Sequence, residues 1–341
     1  MRKTLVSVFQ FVLFFGLGIF LVWWSIHKLS DTDYNDFITS LKNADYILLI
    51  PVFFILSLSH LSRALRWKIL MASMGYKPKL SNTFAAVMVG YLANFAFPRL
   101  GEVLKCTILG KYEKVPPDKL VGTILVERAV DLLCFGIVII ISLLTQAKIV
   151  GAYAKKIFTK YLLAGETKIV AIKLGIIGGV VIVSFFVLRY IFKKYHHIKI
   201  VDKVKSILKG IAEGLMSVKN MPNKWLFIFH SILIWVCYLG GTYLGFHAIK
   251  ETAGLPALAS FPVLSFGTVG TIVTPGGIGL YPVFLMEAMK LYNIPESYGT
   301  ANGWLQWSAQ FVITLVVGFI CLAVLPYINK HPHESRTGNT R

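Results

Sequence analysis

The sequence predicts an all-α polytopic membrane protein of about six full transmembrane helices plus two re-entrant broken-helix hairpins, arranged as an inverted repeat. Three observations predict it. Of 341 residues, 56% are apolar and 15% charged, with a mean hydropathy of +0.67; a soluble chain averages about 25% charged and cannot hide so much apolar surface. The apolar residues fall in long runs, and about 20 such residues cross a hydrocarbon core of about 30 Å. Two further runs are broken near their middles by Pro and Gly, which a membrane tolerates only where the backbone lines a cavity or packs inside protein.

Taken in order, Met1, Arg2 and Lys3 precede an apolar run over 4–26. It is too long for a signal peptide and lacks a small-residue cleavage site, so it reads as a retained first span. The segment 27–45 is acidic, with Asp31, Asp33, Asp36 and Asp45. A second span over 46–62 ends in Arg63, Arg66, Trp67 and Lys68, which read as an interfacial anchor. The first broken segment, 82–112, is interrupted at Pro98, Arg99, Leu100, Gly101 and Glu102. A third span, 120–145, carries Glu127, Arg128 and Asp131. Spans 169–192 and 225–249 follow, separated by the basic stretch 193–224. The second broken segment, 256–292, is interrupted at Thr274-Pro275-Gly276-Gly277-Ile278-Gly279, and a last span covers 302–328.

The charge balance is 35 Lys+Arg against 16 Asp+Glu, or +19. In a soluble chain this excess points to nucleic acid. Here the cations sit in short segments between apolar runs, with no basic domain to act as a reader, so nucleic-acid binding is excluded and the cations are read as topology signals. If both broken segments turn back, 21 cations lie on the cytoplasmic side and 8 outside; if each crosses once, the figures become 16 and 13. Only the first division shows the positive-inside bias. It puts both termini in the cytoplasm, although the external loop 146–168 holds five lysines against the trend.

The re-entrant reading divides the chain into a first repeat over 1–145, the external loop 146–168, an inverted second repeat over 169–328 and a cytoplasmic tail over 329–341. A faint echo accompanies it. Gly90 and Asn94 lie eight and four residues before Pro98, as Gly267 and Thr271 do before Pro275, and Gly101 and Gly279 follow the prolines. Paired broken helices meeting at the midplane are a common transporter design.

Charge inside the spans marks the candidate site. Asp131 lies about 16 Å into a helix that starts near Leu120, at mid-membrane. Glu127 shares its face, and Arg128 is three residues from Asp131, within reach. Each ionisable group at that depth costs at least ~2.5 kcal/mol and needs a partner or water. Arg99, Glu102 and Lys105 follow the first break, where exposed helix ends and Arg99 suit an anionic phosphate. The first group reads equally as an ion network locking helices together. For the second the rival is a salt bridge of Arg99 with Glu102 or with Asp131, and transport is favoured because a membrane hairpin rarely carries charge without reason. Arg99 and Glu102 meeting Asp131 would form one buried polar site. In the second hairpin Pro275, Gly276, Gly277 and Gly279 permit a sharp turn and close backbone approach. Gln306 and Gln310 face a cavity or bond helices together, and Trp304 and Trp307 read as interfacial anchors. Cys106, Cys134, Cys237 and Cys321 and the scattered histidines have no metal-ligand spacing, so neither metal nor cofactor is expected. No nucleophile–base set or catalytic motif appears, so no enzyme is expected.

The stretches PRLGE (98–102), VERAVDLL (126–133) and TPGGIG (274–279) resemble the lysylphosphatidylglycerol synthase transmembrane-region family over about residues 5–328. The resemblance implies a lipid-translocating domain with re-entrant helices in a bacterial inner membrane. Its cargo would be an anionic or aminoacylated phospholipid or an isoprenoid-linked glycolipid. Arg99, Glu102, Glu127, Arg128 and Asp131 would be the functional set. Where the family often has Glu after the glycines, this chain has Leu280-Tyr281-Pro282 and then Glu287. The aminoacyl-transfer domain of the fused synthases is not seen, so lysyl transfer is not expected. The rival reading is a non-catalytic membrane partner of a lipid-modifying enzyme or glycosyltransferase; a homo-oligomer fits either.

Overall fold

The computed structural model describes residues 16, 18–20, 22–97, 100–149, 151–152, 155, 159 and 221–330. Most of the expected first span, the span 169–192, the stretch 193–220, most of the loop 146–168, Pro98, Arg99 and the tail from 331 lie outside the described residues. Among the described residues every element is helical and no strand is present.

The acidic segment forms α1 (Asp31–Lys42), because Ser30 caps it through its Oγ and Asp31 and Asp33 sit in its first turn. Helix α2 (Leu49–Ala72) does not stop at residue 62 as its charges suggested. It runs ten residues further, so Arg63, Arg66 and Trp67 lie inside it and are buried. They are not an interfacial anchor. The cations stay helical because carboxylates on a neighbouring helix meet them, as described below.

The first broken segment is α3 (Leu80–Ala96) and α4 (Leu100–Glu113). The two run antiparallel: Asn82 meets Glu113, Gly90 meets Lys105, and Asn94 Oδ1 accepts the Gly101 N–H at 2.9 Å. Helix α5 (Pro117–Thr145) opens on proline, where a missing N–H costs nothing. After the undescribed stretch, α6 (Lys224–His247) packs along α2.

The second broken segment is α7 (Ser260–Val273) and α8 (Leu280–Lys290), joined by a tight turn over Pro275–Gly277. These too run antiparallel, with Gly267 against Tyr281 and Leu285 and Gly270 against the Tyr281 backbone. Gly276, Gly277 and Gly279 all have φ between 59 and 75°, a conformation that only glycine adopts cheaply. Gly279 is therefore a turn residue at the start of α8, whereas Gly101 lies inside α4 at a helix crossing. The two glycines matched by spacing do different work. Helix α9 (Glu296–Ile328) is the longest of the described helices and packs on α8, α3 and α1.

Among the described residues, three helical stretches are long and apolar enough to cross a membrane: Tyr46–Ala72, Lys224–His247 and Glu296–Ile328. Helix α5 has the length, at 29 residues, but holds charge at its middle. Leu144, Trp225, Ile272 and Phe54 are 65 to 76% exposed. Large apolar side chains bared on this scale have no place in water and suit a lipid surround.

Buried clusters tie the elements together. Trp67, Leu70 and Met71 of α2 pack with Val87 of α3, Leu109 of α4 and Ile124 of α5. Phe246 of α6, Val263 of α7 and Leu285 of α8 form a second cluster. One end of the bundle is tied by ions, where Lys290 holds Glu287 and Glu296, and Glu296 also holds Lys28 at 2.9 Å. Near the other end Asn82 and Asn329 exchange amide hydrogen bonds of 2.9 and 2.8 Å, fixing the end of α9 to the base of the first hairpin.

Candidate functional site

A cavity of about 690 Å³ opens between the two hairpins, walled by α2, α5, α6 and α9. Along α2 it is lined by Leu49, Val52, Leu56, His60 and Arg63, a helical stripe that spans about 21 Å. The wall is apolar near Leu49 and Val52. At Arg63 it becomes polar, where Tyr91, Asn94, Glu102, Arg128, Asp131 and Tyr238 converge.

The polar end is built from ion pairs between helices. Asp131 accepts from Arg63 Nη1 at 2.7 Å, and Arg66 Nη1 lies 2.7 Å from its other oxygen. Glu127, one turn earlier on α5, meets Lys105 Nζ of α4 at 3.1 Å and Arg66 Nη2 at 3.6 Å. Arg63 Nη2 also donates to Tyr238 Oη of α6 at 3.0 Å. Lys105 lies 4.2 Å over the Trp67 ring, whose indole donates to Thr123 Oγ1 at 2.8 Å. Arg66 is fully buried, Glu127 4% exposed and Arg63 8%. Charges so deeply desolvated hold only because each has a partner of opposite sign, though three cations share two carboxylates. Glu102 and Arg128 form a separate pair of 3.1 Å at the cavity's edge, with side chains 35 and 55% exposed.

The sequence-predicted residues thus fall into three groups. Lys105, Glu127 and Asp131 join one buried network. Glu102 and Arg128 pair with each other, so Glu102 does not meet Asp131 and Arg128 does not turn back to it. Arg99 and Pro98 lie outside the described residues. Arg63, Arg66, His60, Tyr91 and Tyr238 escaped the sequence reading. Their signal was present: Arg63 and Arg66 are three apart on one face, as Glu127 and Asp131 are four apart on another, and buried carboxylates need cations.

The second hairpin reaches the site through its turn. Pro275 and Gly277 are buried. A Cβ on Gly276 would lie 2.1 Å from the Phe95 ring at the end of α3, so the ends of the two hairpins touch. Trp307 Nε1 donates to the Gly276 carbonyl at 2.9 Å, its ring stacks on Phe311 at 5.1 Å, and Phe311 meets Phe95 edge-on at 5.1 Å. Trp304 packs against Trp307. Trp307 braces the glycine turn from within the bundle and is not an interfacial anchor, whereas Trp304 packs on the cluster that holds Phe37 of α1 and Leu305 of α9. Gln310 lines the cavity, and Gln306 both lines it and donates to Asn302 Oδ1 at 2.7 Å. Glu287 pairs with Lys290 at 2.8 Å, beyond the cavity lining.

An apolar helical bundle around a charged cavity defines an integral membrane protein with a site at its interior. The chain belongs to the lysylphosphatidylglycerol synthase TM region family, whose profile matches residues 7–330. It is 24% identical over 299 residues to a UPF0104 membrane protein of Methanocaldococcus jannaschii, covering 83% of this chain and 85% of that one. It is 23% identical over 324 residues to a UPF0104 membrane protein of Methanothermobacter thermautotrophicus, covering 86 and 89%. No solved structure matches the chain.

Proposed function

We propose that this protein is a lipid flippase-like transporter of the cell's inner membrane. It carries the head group of a phospholipid or lipid-linked sugar through the interior cavity while the acyl or isoprenoid chains stay in the bilayer. The observation that carries the reading is the cavity itself: about 690 Å³, apolar toward one end, charged beside Asp131, and bounded by the touching turns of two helical hairpins. Transporters place substrate sites where broken helices meet near the midplane.

Six full spans and two re-entrant hairpins fit the dimensions. Helices α3, α4, α7 and α8 have 17, 14, 14 and 11 residues, below the roughly 20 that cross a bilayer. The charge count agrees with Arg63 and Arg66 removed from the cytoplasmic side, since 19 against 8 keeps the bias and the single-crossing count falls to 14 against 13. Both termini then face the cytoplasm.

Purified protein in vesicles carrying head-group-labelled fluorescent phospholipid tests the reading. Quenching by an impermeant reductant should pass from the outer-leaflet half to nearly all of the label. Protection of the inner leaflet equal to that of protein-free vesicles sinks the transporter reading. Specific co-purification with a lipid-modifying enzyme, without exchange, would favour a membrane partner instead.

A further inference from the structure

We infer that the charged end of the cavity is an oxyanion site, selecting a phosphate-bearing head group of net negative charge and rejecting an aminoacylated, cationic one. This deepens the transporter reading and rests on it for its context, though the binding claim stands on charge and hydrogen-bonding groups alone. The described ionic side chains of the network and its rim are Arg63, Arg66, Lys105 and Arg128 against Glu102, Glu127 and Asp131. Their sum is +1. In a medium of low dielectric an unmatched positive charge is costly, and a bound monoanion removes that cost.

The hydrogen-bonding groups agree with the charge. His60 lines the cavity, is 5% exposed, and its Nδ1 has no partner among the described residues. Tyr91 also lines the cavity; its ring lies beneath the Arg63 guanidinium at 5.8 Å and beside His60 at 5.1 Å, and its hydroxyl has no bond to a described residue. Asn94 uses its oxygen on the Gly101 N–H, which leaves its NH₂ to donate into the same space. Free capacity at this wall is therefore mostly donor, the chemistry that phosphate oxygens accept.

A cationic head group meets the opposite situation. The cavity-lining carboxylates among the described residues are Asp131 and Glu102. Asp131 holds two guanidiniums and Glu102 holds Arg128. Glu127 is taken by Lys105 and Arg66. The second hairpin supplies no acid at its turn, where Leu280, Tyr281 and Pro282 follow the glycines. An ammonium would meet carboxylates each already paired with a guanidinium or ammonium.

The test is competition binding to the full chain in detergent, with phosphatidylglycerol, its aminoacylated derivative, glycerol phosphate and inorganic phosphate as probes. Wild type should bind phosphatidylglycerol about tenfold or more tighter than the aminoacylated lipid, since one charge of the wrong sign a few ångström away in a buried site is worth at least that. Asn94→Asp keeps the oxygen that caps Gly101 while adding a carboxylate, so the preference should collapse by about tenfold or reverse. Tyr91→Phe keeps the ring contacts and should weaken phosphatidylglycerol severalfold at unchanged melting temperature, a readout that stands should Asn94→Asp fail to fold. Aminoacylated lipid binding as tightly as phosphatidylglycerol to wild type, or an unchanged ratio in a folded Asn94→Asp, overturns the inference. Displacement by inorganic phosphate at the lipid's own concentration assigns the oxyanion site to a soluble anion and overturns the lipid assignment. Selective binding without leaflet exchange would leave this site standing and remove the transport reading.

Discussion

A Cβ on Gly101 would lie 2.0 Å from the Gly90 carbonyl oxygen and 2.7 Å from Asn94 Oδ1. The obstacle is backbone, so the first hairpin must spread to admit it. Gly101→Ala should therefore destabilise by about 1–3 kcal/mol, the usual result of overpacking. Gly122 of α5 meets nothing within 4 Å, and Gly122→Ala should gain about 0.5–1 kcal/mol from helix propensity. Melting of the detergent-solubilised protein, followed by tryptophan fluorescence, should move in opposite directions for the two. Equal shifts would mean that α3 and α4 are not in close contact. The buried ion pairs obey a harsher rule. Asp131→Asn leaves two guanidiniums facing one neutral amide, and breaking a buried pair typically costs ~3–5 kcal/mol. Low membrane yield is expected for that variant alone. The Lys105→Met, Glu127→Gln double variant should be less harmful than the sum of its singles by about 0.5–3 kcal/mol. Strict additivity would deny the pair its coupling.

At the scale of elements, the second hairpin is held at its turn by neighbouring helices. The Trp307 hydrogen bond to the Gly276 carbonyl and the Phe95 ring against Gly276 pin it to α9 and α3, with Gly303 of α9 against Pro282 just beyond. Loss of one hydrogen bond costs about 0.5–1.5 kcal/mol. Trp307→Phe keeps the stacking on Phe311 but not the bond, so the population with the turn displaced should rise severalfold. A single cysteine at Thr271, which lines the cavity, reports this as a severalfold faster reaction with a small thiol reagent. An unchanged rate would show that the turn does not depend on Trp307. Both breaks were legible in the sequence because Pro and Gly write turn chemistry directly. The bracing by Trp307 was not, because an aromatic near a span end has the same local pattern whether it faces a head group or a glycine carbonyl. The second helix was misread for a similar reason. Arg63 and Arg66 after an apolar run look like a membrane boundary, and only the carboxylates 61 to 68 residues away on α5 reveal them as interior charges. Long-range pairing is the part of the site that local pattern does not carry.

For the whole molecule, the division of cations and the two hairpins stand or fall together. An even number of crossings between Lys114 and the basic stretch before α6 leaves both on one side, whereas a crossing by either broken segment separates ends that the positive-inside bias keeps together. The short helices of both hairpins make a full crossing by any one of them difficult, and the Asn82–Asn329 amide pair ties the end of α9 to the base of the first hairpin. The ion cluster of Lys28, Glu287, Lys290 and Glu296 gathers the base of the second hairpin with the segment before α1. One hairpin base is thus anchored beside the C-terminal end of α9 and the other beside its N-terminal end. Single cysteines in a background lacking Cys106, Cys134, Cys237 and Cys321 test the arrangement with an impermeant thiol reagent on intact cells. Asp33→Cys and Lys156→Cys should label from outside, and Lys114→Cys and Lys209→Cys only after permeabilisation. Positions 156 and 209 lie outside the described residues, so they probe the topology expected from the sequence alone, while 33 and 114 probe described parts of the fold. Labelling of Lys209→Cys from outside would mean that an odd number of crossings separates it from Lys114. The inverted repeat would then fail even if the cavity and its ion network stood unchanged.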